Sequence, residues 1–277
     1  MKIYIATDME GITGTVHGSS TMPPSPDYDR YRKLMTNEVN AAIEGALEAG
    51  ATEILVNDGH GTMRNILAEE LHPEARLISG YPKPMLQLTE LNASFTAAIF
   101  VGFHARSNTN GVMSHTFYGS GFNYLKLNDH ECTEAEFDAA VAGTWNVPIV
   151  CVTGDDVLET QLKEWLPSTR FAQTKIATSH KSANSLSPKK ACALIKEQVK
   201  NGIHSRDQIP PLKIPGPYQL EIQFKTVAQC DVCAIIPEVI RIDPITVRYS
   251  HPDLHMISNM MTTFFNACAI LLLPYYQ

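Results

Sequence analysis

Four short apolar runs, "KIYIATD", "EILVNDGHG", "AAIFVGFHA" and "VPIVCVTGDD", constrain this chain more than any other feature. Each has the length of a strand and stops at glycine or a polar residue, the pattern of strands buried on both faces. Between the first two, "TNEVNAAIEGALEAG" sets Val39, Ile43, Ala46 and Leu47 at helical spacing and closes on Gly50, a good helix stop. That is a β–α–β unit. Further helices are expected near Arg64–Leu71, Glu134–Ala142 and Asp156–Trp165. The alternation predicts an α/β fold, a mostly parallel sheet flanked by helices.

From about Arg206 the texture changes. "RDQIPPLKIPGPY" is proline-rich and reads as a linker, "QLEIQFKT" alternates apolar with polar residues, "ITVRYS" does so less cleanly, and a helix-like stretch runs from about Pro252 to Leu273. The chain is therefore divided into an α/β domain over 1–205 and a smaller α+β C-terminal region over 206–277, with antiparallel pairing expected in the second.

The 277 residues, 44% hydrophobic, suffice for a sizeable core, and a net charge of −7 leaves no basic surplus to hold nucleic-acid phosphates. Met1 runs directly into "KIYIA" without an apolar leader, and "ACAILLLP" is too short to span a bilayer, so a cytoplasmic protein without membrane attachment is expected. Six cysteines in apolar or helical contexts agree with reduced thiols. Cys230 and Cys233 form one CxxC, but no second pair completes a zinc site, and "CDVCAII" is read as a buried strand with two small apolar side chains.

In open parallel sheets ligands bind beyond the carboxyl ends of the strands. The four run ends carry Asp8 and Glu10, then Asp58 and His60, then His104, then Asp155 and Asp156. Asp8 and Glu10, two residues apart, project to one side of an extended segment, and two carboxylates so close need a cation between them. Imidazoles and carboxylates without thiolate suit zinc or another divalent transition ion, and their number favours two ions over one. Every member also has a structural alternative, in a solvated turn, a helix cap or a satisfied core histidine. Asp156-x-x-Glu159 fits a capping pattern, so the pair Asp155 and Asp156 is left out of the ligand set. In "NDHECTEAEF", Thr133 and Glu136 fit a capping box; Glu134 would head an apolar helical face as a ligand, with Glu131 open as an alternative. His17, His72, His130 and His180 read as surface residues.

With "DMEGI", "VNDGHGTMRN", "LHPEARLISG", "GFHARSNTNGVMSH", "LND…TEAEF" with "AVAG" behind it, "VPIVCVTGDD" and "SLSP" assembled, the chain resembles the zinc-dependent D-aminopeptidase family, first labelled dipeptide transport proteins. The likeness runs through most of the first two-thirds. It implies metal ligation by Asp8, Glu10, His60, His104 and Glu134, two Zn2+ ions per subunit, and a catalytic role for His115. The glycines of "DGHG" depart from the serines of the family pattern, which leaves the ligand types intact. The resemblance also implies hydrolysis of short peptides, with a D-residue at the amino end, through a zinc-activated water. It further implies a homo-oligomer enclosing its active sites, with the C-terminal region building contacts. The apolar stretch "TTFFNACAILLLPYY" independently suggests association. Two other functions share these residues: a non-catalytic peptide-binding protein linked to dipeptide uptake, and a metal-dependent phosphoesterase.

Overall fold

The computed structural model describes residues 1–272. Its larger sheet takes seven strands: β1 (Lys2–Thr7), β2 (Glu53–Asp58), β3 (Ala75–Ile78), β4 (Ala97–Val101), β7 (Ile149–Asp155), β8 (Arg170–Ser179) and β9 (Ser182–Ser185). Their order is β3-β2-β1-β4-β7-β8-β9, parallel except for the β8–β9 hairpin. A smaller antiparallel sheet takes β5 (Phe122–Leu127), β6 (His130–Glu131), β10 (Tyr218–Phe224), β11 (Ile240–Asp243) and β12 (Thr246–His251), in the order β11-β12-β10-β5-β6. Of the strands beyond residue 206, β10 pairs with β5, which precedes that position by some eighty residues of chain, and so joins the late strands to the earlier part of the chain.

The helices are α1 (Pro26–Glu48), α2 (Glu134–Thr144), α3 (Asp156–Leu162), α4 (Pro188–His204), α5 (Val227–Ala234) and α6 (Leu254–Ala269). Strand alternation divides the core in two. Ile3 and Ile5 of β1 face α1 and α4, in a cluster with Val39, Ile43 and Val199, while Tyr4 and Ala6 face α2 and the antiparallel sheet. No helix of the described residues is long and apolar enough to cross a membrane.

Three local expectations are corrected. The stretch 64–71 is not helical, because its backbone groups are taken by side chains: Asp58 accepts from the Asn65 and Ile66 N–H groups, Thr36 from Leu67, and Arg32 donates to the Arg64 and Asn65 carbonyls. Cys230 and Cys233 lie in helix α5, not in a strand; a Thr226–Gln229 capping box starts that helix, and spacing of three puts both buried thiols on one face. The cap of α3 is Asp155, whose carboxylate accepts from Leu158 N–H, while Asp156 accepts from Ala177 N–H. The final helix covers Leu254–Ala269 and continues as a 3-10 turn to Leu272, and Leu273 lies outside the described residues.

Candidate metal centre

Sheet order decides which strand ends meet. β1 lies between β2 and β4, so Asp8 and Glu10, just past the end of β1, stand between His60 beyond β2 and His104 beyond β4. Backbone hydrogen bonds fix the crossing: Asp8 N–H donates to the Val101 carbonyl at 2.8 Å, Gly59 N–H to Thr7 at 2.9 Å and Gly11 N–H to Gly102 at 2.7 Å. Two glycines permit this closeness. A Cβ on Gly11 would stand 2.0 Å from the Phe103 carbonyl oxygen, and Gly102, at φ +76°, would put one 2.3 Å from the Asp8 oxygen. Glu134 arrives from the other layer as the first residue of α2, behind the Thr133–Glu136 capping box.

Each imidazole has one nitrogen committed to a backbone carbonyl: His60 Nε2 donates to Thr21 at 2.9 Å, His104 Nδ1 to Ala105 at 3.0 Å and His115 Nδ1 to Met113 at 2.9 Å. A carbonyl only accepts, so those nitrogens carry the protons. The opposite nitrogens turn toward carboxylates. His60 Nδ1 lies 3.1 Å from Asp8 Oδ1 and 3.0 Å from Glu10 Oε2; His104 Nε2 lies 3.3 Å from Asp8 Oδ2 and 3.1 Å from Glu134 Oε1; His115 Nε2 lies 4.0 Å from Glu134 Oε1. The rings of His104 and His115 stack with centroids 4.1 Å apart.

Asp8, Glu10, His104 and Glu134 are buried, and Asp8 Oδ2, Glu10 Oε2 and His104 Nε2 have no hydrogen-bond partner of acceptable geometry. Buried acceptors left without a partner are costly unless a cation joins them. Ligand atoms of Asp8, Glu10 and His104 lie within 4.8 Å of one another, as do those of His104, His115 and Glu134. This donor set of carboxylate oxygens and carbonyl-oriented imidazoles fits a divalent transition metal.

The electrostatics agree. Burial, with repulsion from Glu10, pushes Asp8 up to about 6 against the pull of His60 and His104. Burial acts the same way on Glu10 and Glu134, yet His60 beside the first and His104 beside the second hold both below the usual carboxylate range. Against burial, Glu10 and Asp8 hold His60 well above its ordinary value, and Glu134 with Asp8 and Glu10 raises His104 to about 10. His115 moves the other way, lowered by burial and by His104. Protons and metal therefore compete for the same lone pairs.

The sequence profile of the D-aminopeptidase family matches residues 1–263. The chain belongs to that family. By membership it is a metal-dependent aminopeptidase, a hydrolase. It is 36% identical to the D-aminopeptidase of Bacillus subtilis strain 168 over 255 residues, 92% of this chain and 93% of that protein. A solved structure described as the zinc-dependent D-aminopeptidase of Bacillus subtilis, a self-compartmentalizing protease, superposes with a TM-score of 0.94 at 34% identity, covering 97% of this chain and 98% of that one. The α/β architecture expected from the sequence is the one this family shares.

The structure brings Asp8, Glu10, His60, His104, His115 and Glu134 together. It leaves the other strand-end acids with backbone duties. Asp58 accepts from the Asn65 and Ile66 N–H groups, and Asp155 accepts from Val112 and Leu158 N–H while ordering the loop that carries His115. Glu131 is a third exposed and lies 3.7 Å from Arg106. His130, read as a surface residue, stacks on Trp165 at 3.9 Å and approaches Glu136 at 3.3 Å.

Two supporting residues escaped sequence reasoning. Gln87 Nε2 donates to Glu134 Oε2 at 2.8 Å across 47 residues of sequence, while Phe117 N–H donates to Glu134 Oε1 at 2.6 Å. Buried Lys175 donates to the carbonyls of Glu10, Ile12 and Thr15, bracing the turn after β1, and burial lowers it to about 8. Neither residue has a local sequence signal, because its partners come from distant elements.

Proposed function

We propose that the chain hydrolyses short peptides with an amino-terminal D-residue, using two zinc ions held by Asp8, Glu10, His60, His104 and Glu134, with His115 as the acid–base group. The observation that carries this assignment is the set of imidazole nitrogens, each oriented by a backbone carbonyl on its far side, aimed at buried carboxylates with orphaned atoms. The two oxygens of Asp8 face different imidazoles, which supports Asp8 as the bridging ligand. When bound, the ions would supply a water of lowered pKa and a Lewis acid for the scissile carbonyl.

The chain's own residues do the rest. A cavity of about 440 Å³ lies over the site, and Gln87, Phe117, Tyr118 and Phe265 help to line it. His115 is the most exposed of the six, with a quarter of its side chain accessible, and it lines the cavity beside Asp8, Glu10, His60 and Glu134, open to a substrate there. Its Nδ1 proton is held by Met113, leaving Nε2 to take a proton and pass it to the leaving amine. No lysine or arginine among the described residues lines this cavity itself. A mere binding protein has no use for such a donor set.

The family relative's self-compartmentalizing character, together with exposed apolar residues in the C-terminal region, supports a homo-oligomer enclosing its active sites, with residues 206–277 forming contacts. Metal analysis of purified protein, paired with hydrolysis of matched D- and L-alanyl dipeptides, tests the function. Two zinc ions per chain and faster D-alanyl turnover are expected. Cleavage of a phosphomonoester with no peptide turnover would replace the assignment with a phosphoesterase.

A further inference from the structure

A second cavity, of about 510 Å³, opens on the other side of His115. It shares Gly18, Met113, His115 and Gly119 with the cavity over the carboxylates, so the two adjoin across one imidazole. Their chemistry is opposite. Lys181, Lys225 and His180 stand in the wall of the second, and no carboxylate does, in a chain of net charge −7. Among the described residues neither lysine forms an ion pair.

Three separate parts of the chain build this pocket. Met113 N–H donates to the His180 carbonyl at 2.8 Å, fixing the loop after β4 to the β8–β9 turn. Ser114 Oγ donates to the Thr109 carbonyl at 2.9 Å and lies 3.4 Å from His180 Nδ1. Lys225, one residue past β10, is anchored by its N–H to the Gly121 carbonyl at 2.8 Å, and its ammonium donates to the Gly119 carbonyl. Lys181 makes no such bond, and its head is exposed.

We infer that this cavity receives the free carboxylate of the peptide whose amino end lies over the metal centre, an assignment that rests on the aminopeptidase function proposed above. Extended chain advances about 3.3–3.6 Å per residue. Because the two cavities adjoin at His115, a short peptide running past that imidazole brings its carboxylate toward the lysines. A longer peptide would place an uncharged peptide group there. Lys181 and Lys225 thus favour short peptides by their charged end, and screening by solvent keeps each contribution modest.

The test compares D-alanyl-D-alanine with D-alanyl-D-alaninamide, which has the same scissile bond without the charge, on the zinc-loaded wild type, Lys181→Gln and the Lys181→Gln/Lys225→Gln double variant. The wild type is expected to prefer the free acid, more so at low salt. The double variant is expected to lose about tenfold in kcat/KM on the acid, mostly in KM, and little on the amide, with Lys181→Gln intermediate. Equal losses on both substrates would reduce the lysines to a structural role. Hydrolysis of both peptides by the wild type without preference would remove the carboxylate site and leave the aminopeptidase standing, whereas no turnover of either would remove both.

Discussion

The roles proposed for His115 and Glu134 separate chemistry from ligation at the level of single residues. His115 stacks on His104 yet keeps its nearest carboxylate oxygen 4.0 Å away, so His115→Ala is expected to retain its zinc while kcat falls by roughly 10²–10⁴, the range for losing a positioned acid–base group. Metal content and turnover measured on one sample check this. Near-normal turnover would remove the role, and loss of an ion would make His115 a ligand, as its grouping with His104 and Glu134 permits. Glu134→Gln replaces an anionic donor with an amide, and its zinc affinity is expected to fall by more than the roughly 10–100-fold that loss of an outer partner costs. Glu136→Gln keeps the capping box, since Gln accepts from Thr133 N–H as Glu136 Oε2 does at 2.8 Å, and is expected to bind zinc as the wild type does. Equal losses in competition with a chromophoric chelator would mean that Glu134 is not a ligand.

Helix α1 ties the turn after β1 to the back of the sheet through another buried acid. Glu38 accepts from Thr13 N–H at 2.9 Å, and burial raises its carboxyl from 4.5 to about 7, against the pull of Thr13 and Lys175. Between these values the folded chain binds a proton that the unfolded chain has released. Glu38 therefore contributes fully below its unfolded value, and that contribution is lost as pH rises through about 7. The full loss is on the order of 3 kcal/mol. Glu38→Gln keeps the acceptor for Thr13 and cannot ionise, so its stability relative to wild type is expected to rise between pH 5 and pH 8. Urea unfolding of both proteins across that interval measures the difference; parallel curves would show that Glu38 does not titrate there.

For the whole molecule, the exposed apolar side chains gather late in the chain. Val227, Ile235, Ile240, Ile242, Met256 and Ile270 are all exposed beyond residue 226, and β11, which carries two of them, is an edge strand. Edge strands with apolar faces invite a partner. Helix α6 buries Leu254, Ile257, Met261, Phe264 and Cys268 within its own chain and leaves Met256 exposed, so one face of this helix packs inward while β11 and the exposed side chains offer the surface for association. Light scattering across a dilution series is expected to give several times the mass of one chain, and replacing Ile240 and Ile242 with lysine is expected to lower it. A single-chain mass for the wild type at every concentration would count against association.

From sequence alone the four central strands of the larger sheet, β2, β1, β4 and β7, were legible, because buried strands are continuously apolar, and the polar residues that end them marked the candidate site; the partly exposed β3, β8 and β9 carried no such run. The sequence also settled the Thr133–Glu136 cap, a contact three residues long. Helix α5 was open to misreading because eight residues of mixed apolar character satisfy a buried strand or a short helix equally. The 64–71 segment looked helical because nothing local reveals that Asp58, Thr36 and Arg32 claim its backbone groups. Only the tertiary structure decided which strand-end acids face the site. Asp8 and Glu10 turn into it because β1 lies between β2 and β4, while Asp58 and Asp155, of the same residue type at equivalent strand ends, spend their oxygens on N–H groups of neighbouring loops. Strand order and loop closure are long-range properties, set by packing between segments that the sequence keeps far apart.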